Sequence, residues 1–237
     1  MCIRDRLYTT ERSAAANLQR EGVAAERIVF TGNVMIDSLL SNREHARLAS
    51  ATLREHGVDP ALLNHPRGYG VVTLHRPSNV DQADTLAALL GVLAEVAIEL
   101  PLVFALHPRT RANIDRFGLQ GLLKPERMAM LPPQGYLEMV GLMQGATLVL
   151  TDSGGLQEET TALGVPCLTM RESTERPITV DEGTNTMVGA DVQAIRAGVA
   201  AILAGHGKRG RVPELWDGHA AERIAADLYR WLQAGPK

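Results

Sequence analysis

From residue 69 onward, short apolar runs alternate with stretches of helical spacing. The runs at 70–74, 102–106, 128–131, 147–151, 166–170 and 186–188 read as strands, each too short and too uniformly apolar for a helix. Between them, apolar residues recur at helical intervals over 81–99, 110–117, 136–143 and 156–163, and further helices follow at 192–203 and 220–233. Strands that are apolar throughout, each followed by a helix, predict an α/β fold: a doubly wound parallel sheet covered on both faces. Ahead of this rhythm, 9–21 has helical spacing (Ala14, Ala15, Leu18) and stops at Gly22. Ile28-Val29-Phe30 forms a strand closed by Gly32-Asn33, and 34–56 reads as one long helical stretch. The segment 59–70, with two prolines and two glycines, reads as a loop and domain boundary. The first six residues match nothing that follows and are set aside from the predicted fold as an unrelated leader.

The polar residues of the alternating region gather at strand ends. His75-Arg76 follows the first strand, His107 the second, Asp152-Ser153 the fourth and Arg171 the fifth. In an open α/β sheet the carboxyl ends of the strands line the ligand crevice, so separate segments bring these groups to one edge. The densest chemistry lies in 151–176. There Ser153-Gly154-Gly155 bridges a strand and a helix, leaving backbone N–H groups uncovered at the positive end of a helix dipole. The same triplet also suits a tight turn with a serine N-cap. Glu159 one turn later and Arg176 in the same segment favour an anion cradle with a hydroxyl acceptor beside it, a combination suited to a nucleoside diphosphate. The neighbouring Glu158 reads as solvated helix surface, and Lys208-Arg209-Gly210-Arg211 as a solvated loop.

Composition narrows the classes. The chain is 45% hydrophobic and 22% charged with net charge −3, which suits a globular protein and gives no support to nucleic-acid or membrane-surface binding. Its two cysteines, Cys2 and Cys167, make no disulfide framework, and no Asn-x-Ser/Thr sequon occurs, in keeping with a cytoplasmic protein. No histidine pair has metal-ligand spacing and there is no CxxC, so no metal site is expected. No GxGxxG follows a strand and GxxxxGK[ST] is absent, which argues against ordinary dinucleotide binding and a P-loop.

The elements TGNVMIDSLL at Thr31, VTLHRPSNVD at Val72, ALHPRTR at Ala105, YLEMVGLM at Tyr136, TDSGGLQEE at Thr151, GVPCLTMR at Gly164 and STERPITVDEGTN at Ser173 together resemble the non-hydrolysing UDP-N-acetylglucosamine 2-epimerases. The resemblance implies the C-terminal half of a two-domain, GT-B-type fold: a remnant of the N-terminal domain over 7–58, a Rossmann-like UDP-binding domain over 69–218, and a C-terminal helix, 219–237, packing back on the N-terminal domain. It implies that Ser153, Gly154 and Gly155 hold pyrophosphate, Glu159 the ribose hydroxyls and Arg176 phosphate charge, with His75 beside the leaving diphosphate. Arg76 and His107 match positions that contact substrate or a second, allosteric UDP-sugar. Met139 stands where some members place an aromatic residue against uracil. The implied reaction interconverts UDP-GlcNAc and UDP-ManNAc by elimination and re-addition of UDP, without a cofactor. Its proton-transfer carboxylates would lie in the N-terminal domain, leaving this chain inactive alone, and the complete protein would be a homodimer. A GT-B glycosyltransferase and a hydrolysing epimerase are the alternatives.

Overall fold

A computed structural model describes residues 6–234. The chain forms two compact units, one made of residues up to Glu44 together with those from Val212 on, the other of His45–Arg211.

The first unit opens with strand β1 (Leu7–Thr9), helix α1 (Ser13–Arg20), strand β2 (Ile28–Phe30) and helix α2 (Val34–Asn42). The strands pair in parallel, Leu7 opposite Ile28. Asn33 caps α2 by accepting the Met35 N–H at 2.9 Å, which suits the asparagine of the Gly-Asn stop. The buried faces of α2 are Ile36 and Leu39.

The larger unit begins with α3 (Ala49–Glu55) and continues through β3 (Gly70–Thr73), α4 (Pro77–Val80), α5 (Ala83–Glu99), β4 (Leu102–Ala105), α6 (Pro108–Arg116), β5 (Met128–Leu131), α7 (Tyr136–Gln144), β6 (Leu148–Thr151), α8 (Gly154–Leu163), β7 (Cys167–Thr169), α9 (Pro177–Asp181), β8 (Asn185–Met187) and α10 (Val192–Leu203). The six strands form one parallel sheet in the order β5-β4-β3-β6-β7-β8. Side chains alternate between two cores, as strand geometry requires. Val72, Phe104 and Leu150 join the layer of α5 and α10, whereas Val71, Val103 and Val149 join the layer that includes Leu53 of α3 and Leu142 of α7. The sheet is doubly wound, and its order reverses between β3 and β6, the point where such sheets bind ligands.

The helical stretch predicted over 34–56 is broken. Arg47 N–H donates to the Leu137 carbonyl at 3.1 Å instead of continuing a helix. A side chain on Gly141 would place its Cβ 1.7 Å from the Arg47 carbonyl oxygen, so this crossing exists only because α7 has a glycine there. A tertiary contact overrides the local period.

The last helix, α11 (Ala220–Ala234), returns to the first unit. Asp37 caps it, accepting the Ala220 N–H at 3.1 Å and the Ala221 N–H at 2.7 Å. Arg6, set aside with the leader on sequence grounds, is tied into this unit: its Nε donates to Asp227 Oδ2 of α11 at 2.9 Å. Residues 1–5, including Cys2, lie outside the described residues, and Cys167 is a free, buried thiol in β7. Among the described residues, no helix is long and apolar enough to cross a membrane.

Candidate functional site

Parallel pairing of β3 with β6 puts Thr73 opposite Thr151, and their hydroxyls meet at 2.6 Å. Just beyond, the chain after β3 delivers His75 and the chain after β6 delivers Asp152. Asp152 is fully buried. Its carboxylate accepts the His75 N–H at 2.9 Å, the Arg76 N–H at 2.8 Å and Asn79 Nδ2 at 3.1 Å, and it lies 2.8 Å from His75 Nδ1. Burial acts to raise this carboxyl, but the His75 ring and the two backbone N–H groups outweigh it, holding Asp152 below its ordinary value. An ionised Asp152 can only accept, so Nδ1 of His75 carries the proton and Nε2 is the nitrogen turned to other partners. Asn79, on α4, also donates to the Met170 carbonyl at 2.8 Å, tying the end of β7 to the same knot. The His107 ring lies 5.6 Å from that of His75. Its Nδ1 accepts the Arg109 N–H at 3.2 Å, capping α6, so its proton is on Nε2.

Beside this pair α8 begins. Ser153 occupies its N-cap position without a side-chain capping hydrogen bond, and its N–H donates to Thr151 Oγ1 at 3.0 Å. Gln157, buried one turn in, donates to the Ser153 carbonyl at 3.1 Å and accepts Thr174 Oγ1 at 2.7 Å and Asn185 Nδ2 at 3.1 Å. One amide thus locks together the helix start, the 171–176 segment and β8. Glu158 and Glu159 are both buried, at 1% and 6% exposure, so Glu158 is not the solvated surface residue that its sequence position suggested. Glu158 lies 2.9 Å from Arg176 Nε, an ion pair that anchors the guanidinium against α8. Burial, and then the neighbouring Glu158 carboxylate, push Glu159 up to about 7. The same Glu159 charge helps raise the phenol of Tyr136 at the start of α7, after burial.

Cations close the mouth. Arg171 pairs with Glu175 at 2.7 Å and Arg76 with its other oxygen at 3.5 Å. A cavity of about 600 Å³ opens here, lined by Arg76, Asn79, Arg171 and Glu172 among others. His75, Arg76 and Ser153-Gly154-Gly155 therefore converge at the reversal point of the sheet. Arg176 and Glu159 sit on the α8 side, linked through Glu158. His107 is exposed near His75, and Met139 packs partly into the core beneath α7. The expectation of a solvated basic loop does not hold for Lys208, whose ammonium donates to the carbonyls of Val180 and Asn185. Sequence reasoning passed over Asp152 as the partner of His75, over Asn79 as a donor to Asp152, and over Gln157. The signal for Asp152 was its place one residue past a strand end, but its pairing with His75 depends on β3 and β6 being neighbours.

A family model for UDP-N-acetylglucosamine 2-epimerase matches residues 3–229. The chain belongs to the UDP-N-acetylglucosamine 2-epimerase family. Within this family it is 34% identical over 226 residues to the UDP-N-acetylglucosamine 2-epimerase of Methanocaldococcus jannaschii, covering 94% of this chain and 60% of that protein. It is 39% identical over 191 residues to the UDP-2,3-diacetamido-2,3-dideoxy-D-glucuronate 2-epimerase of Pseudomonas aeruginosa, covering 79% of this chain and 49% of that one. The crystal structure of the Methanocaldococcus jannaschii epimerase in complex with UDP-GlcNAc and UDP superposes with a TM-score of 0.80 at 32% identity, over 96% of this chain and 61% of that chain. The chain thus spans about half to three fifths of the length of these family members.

Proposed function

We propose that this chain is the UDP-binding part of a non-hydrolysing UDP-GlcNAc 2-epimerase, an isomerase that interconverts UDP-GlcNAc and UDP-ManNAc. The observation that carries the reading is the joining, at the sheet's reversal point, of an uncapped glycine-rich helix start with the His75–Asp152 pair and Arg76. The C2 proton of the sugar is weakly acidic, so departure of UDP from C1 leads the reaction. Negative charge grows on the leaving diphosphate, and N–H groups and cations fixed in advance stabilise it at that moment. In this reading Ser153, Gly154 and Gly155 offer N–H groups to the diphosphate at the positive end of α8. Arg176, held by Glu158, and Arg76 neutralise it. His75, with Nδ1 committed to Asp152, presents Nε2 to the leaving oxygen. Loss of the C2 proton gives a bound glycal, and UDP adds back with the proton returned to the opposite face.

Glu159 accepts the ribose hydroxyls, and Met139 lies against uracil. The carboxylates that move the C2 proton belong to the remaining part of the complete protein. His107 and Arg76 also serve a second, allosteric UDP-sugar, and the complete protein is a cytoplasmic homodimer. The relatives are named for UDP-GlcNAc and a diacetamido glucuronate derivative, which share a UDP-linked 2-acetamido sugar, and that shared chemistry supports the reading.

Calorimetric titration of the chain with UDP tests it. Wild type is expected to bind, and Arg176→Ala to lose roughly 10- to 100-fold in affinity as a charge-assisted contact disappears. No binding by wild type, or equal affinity in the variant, overturns the assignment.

A further inference from the structure

Glu175 stands out among the charged groups around α8 because it lies where a ligand anion would lie. A Cβ built on Gly154, in the first turn of α8, would sit 3.0 Å from Glu175 Oε1 and 3.9 Å from Arg171 Nη1. One carboxylate oxygen therefore rests against the glycine that leaves the helix start open. The other reaches Arg171 Nη2 at 2.7 Å, and Arg76 Nη2 lies 3.5 Å from the first. Arg171 is mostly shielded from solvent, with Nη1 buried and without a hydrogen-bond partner. Buried donors left unpaired are uncommon and point to a missing acceptor. Glu175 satisfies one edge of this guanidinium and leaves the other for a further oxygen. A diphosphate has the oxygens to satisfy both edges; a single carboxylate does not.

We propose that Glu175 competes with ligand phosphate for Arg171 and Arg76 at the start of α8, and so sets the affinity of this cradle for diphosphates. Glu175 is about half exposed, and it lies in the non-helical segment between β7 and α9, so its side chain can turn out to solvent without disturbing the core. Arg171 and Arg76 then transfer from carboxylate to phosphate. When a site is competent for only part of the time, apparent affinity falls by that fraction; a carboxylate in place nine-tenths of the time weakens binding roughly tenfold. The factor is the same for every ligand that must displace it.

The inference rests on the UDP-binding reading above, and the test separates the two. UDP, inorganic pyrophosphate and uridine are titrated into wild type, Glu175→Gln and Glu175→Ala, with Glu172→Gln as a control that removes one charge from the same cavity. Both Glu175 variants should bind UDP and pyrophosphate about tenfold more tightly, by one common factor, with uridine unaffected. Pyrophosphate affinity that is unchanged or weaker in both Glu175 variants overturns the proposal. So does an equal gain in Glu172→Gln, which would assign the effect to net charge, or an absence of pyrophosphate binding throughout. UDP binding no tighter than pyrophosphate in every protein instead sinks the nucleotide reading while leaving competition for the cradle intact.

Discussion

Helices α5 and α8 cover opposite faces of one sheet, yet they bury opposite kinds of side chain. The buried residues of α5 are Leu86, Leu89, Leu90, Val92, Leu93, Val96 and Ala97. Those of α8 are Gln157, Glu158, Glu159, Thr160 and Thr161. Burying apolar surface is favourable wherever it occurs, so α5 needs no particular partner to be stabilising. Burying amides and carboxylates is unfavourable unless each finds a partner, so α8 is tolerated only through its network. One helix supports the sheet; the other holds chemistry at its edge.

Three substitutions press on this contrast. Leu90→Ala should have the largest effect on stability, a loss of about 2–5 kcal/mol from transfer and cavity terms, measured by urea unfolding. The remaining folded protein should bind UDP as wild type does. A change in UDP affinity would break the division of labour between the two helices. Gln157→Ala should follow, at about 2 kcal/mol, because it removes the acceptor of the part-buried Thr174 hydroxyl and one of the acceptors of the buried Asn185 amide. Unlike the α5 variant it should also weaken UDP, since it unties Ser153 and the segment that carries Arg176; a stability loss with unaltered UDP affinity would show that the network is structural only. Glu159→Gln should have the opposite sign above neutrality, a gain on the order of a few kcal/mol. The folded carboxyl, at about 7, lies above its ordinary 4.5, so the folded state keeps a proton that the unfolded chain releases. Wild-type stability therefore falls as pH rises from about 4.5 through about 7, and the amide removes that loss. Melting curves should show the variant more stable than wild type at pH 8 and no more stable at pH 5. Equal behaviour at both pH values would mean that Glu159 titrates normally.

The strands β3 to β7 were legible because they are mostly apolar runs bounded by polar or glycine residues, whereas β8 reads Asn-Thr-Met; the run predicted over 166–170 differs from β7 (Cys167–Thr169) only at its ends. Their order was less so. Nothing in the spelling of TLHRP or TDSGG says that β3 and β6 are neighbours, and the His75–Asp152 pair exists only because they are. Glycine-rich spacing and the clustering of Glu159 and Arg176 marked the α8 region from local sequence alone. Glu158 was misread for the reverse reason, since adjacent acids on a helix are normally solvated, whereas this one is buried and pairs with the Arg176 guanidinium arriving from another segment. Arg6 was lost by the same logic, its partner Asp227 lying 221 residues away.

Gly141 carries a consequence for the identity of the chain ahead of it. A helix interior favours alanine over glycine by about 1 kcal/mol, so α7 is weaker than it needs to be at the point where the Arg47 carbonyl leans on it. A single added methyl would strengthen α7 and expel that carbonyl together. The Arg47 N–H would then lose its seat against the Leu137 carbonyl. Whether the Arg47 backbone can rest on α7 is decided by a hydrogen atom in place of a methyl, about a hundred residues downstream in the sequence.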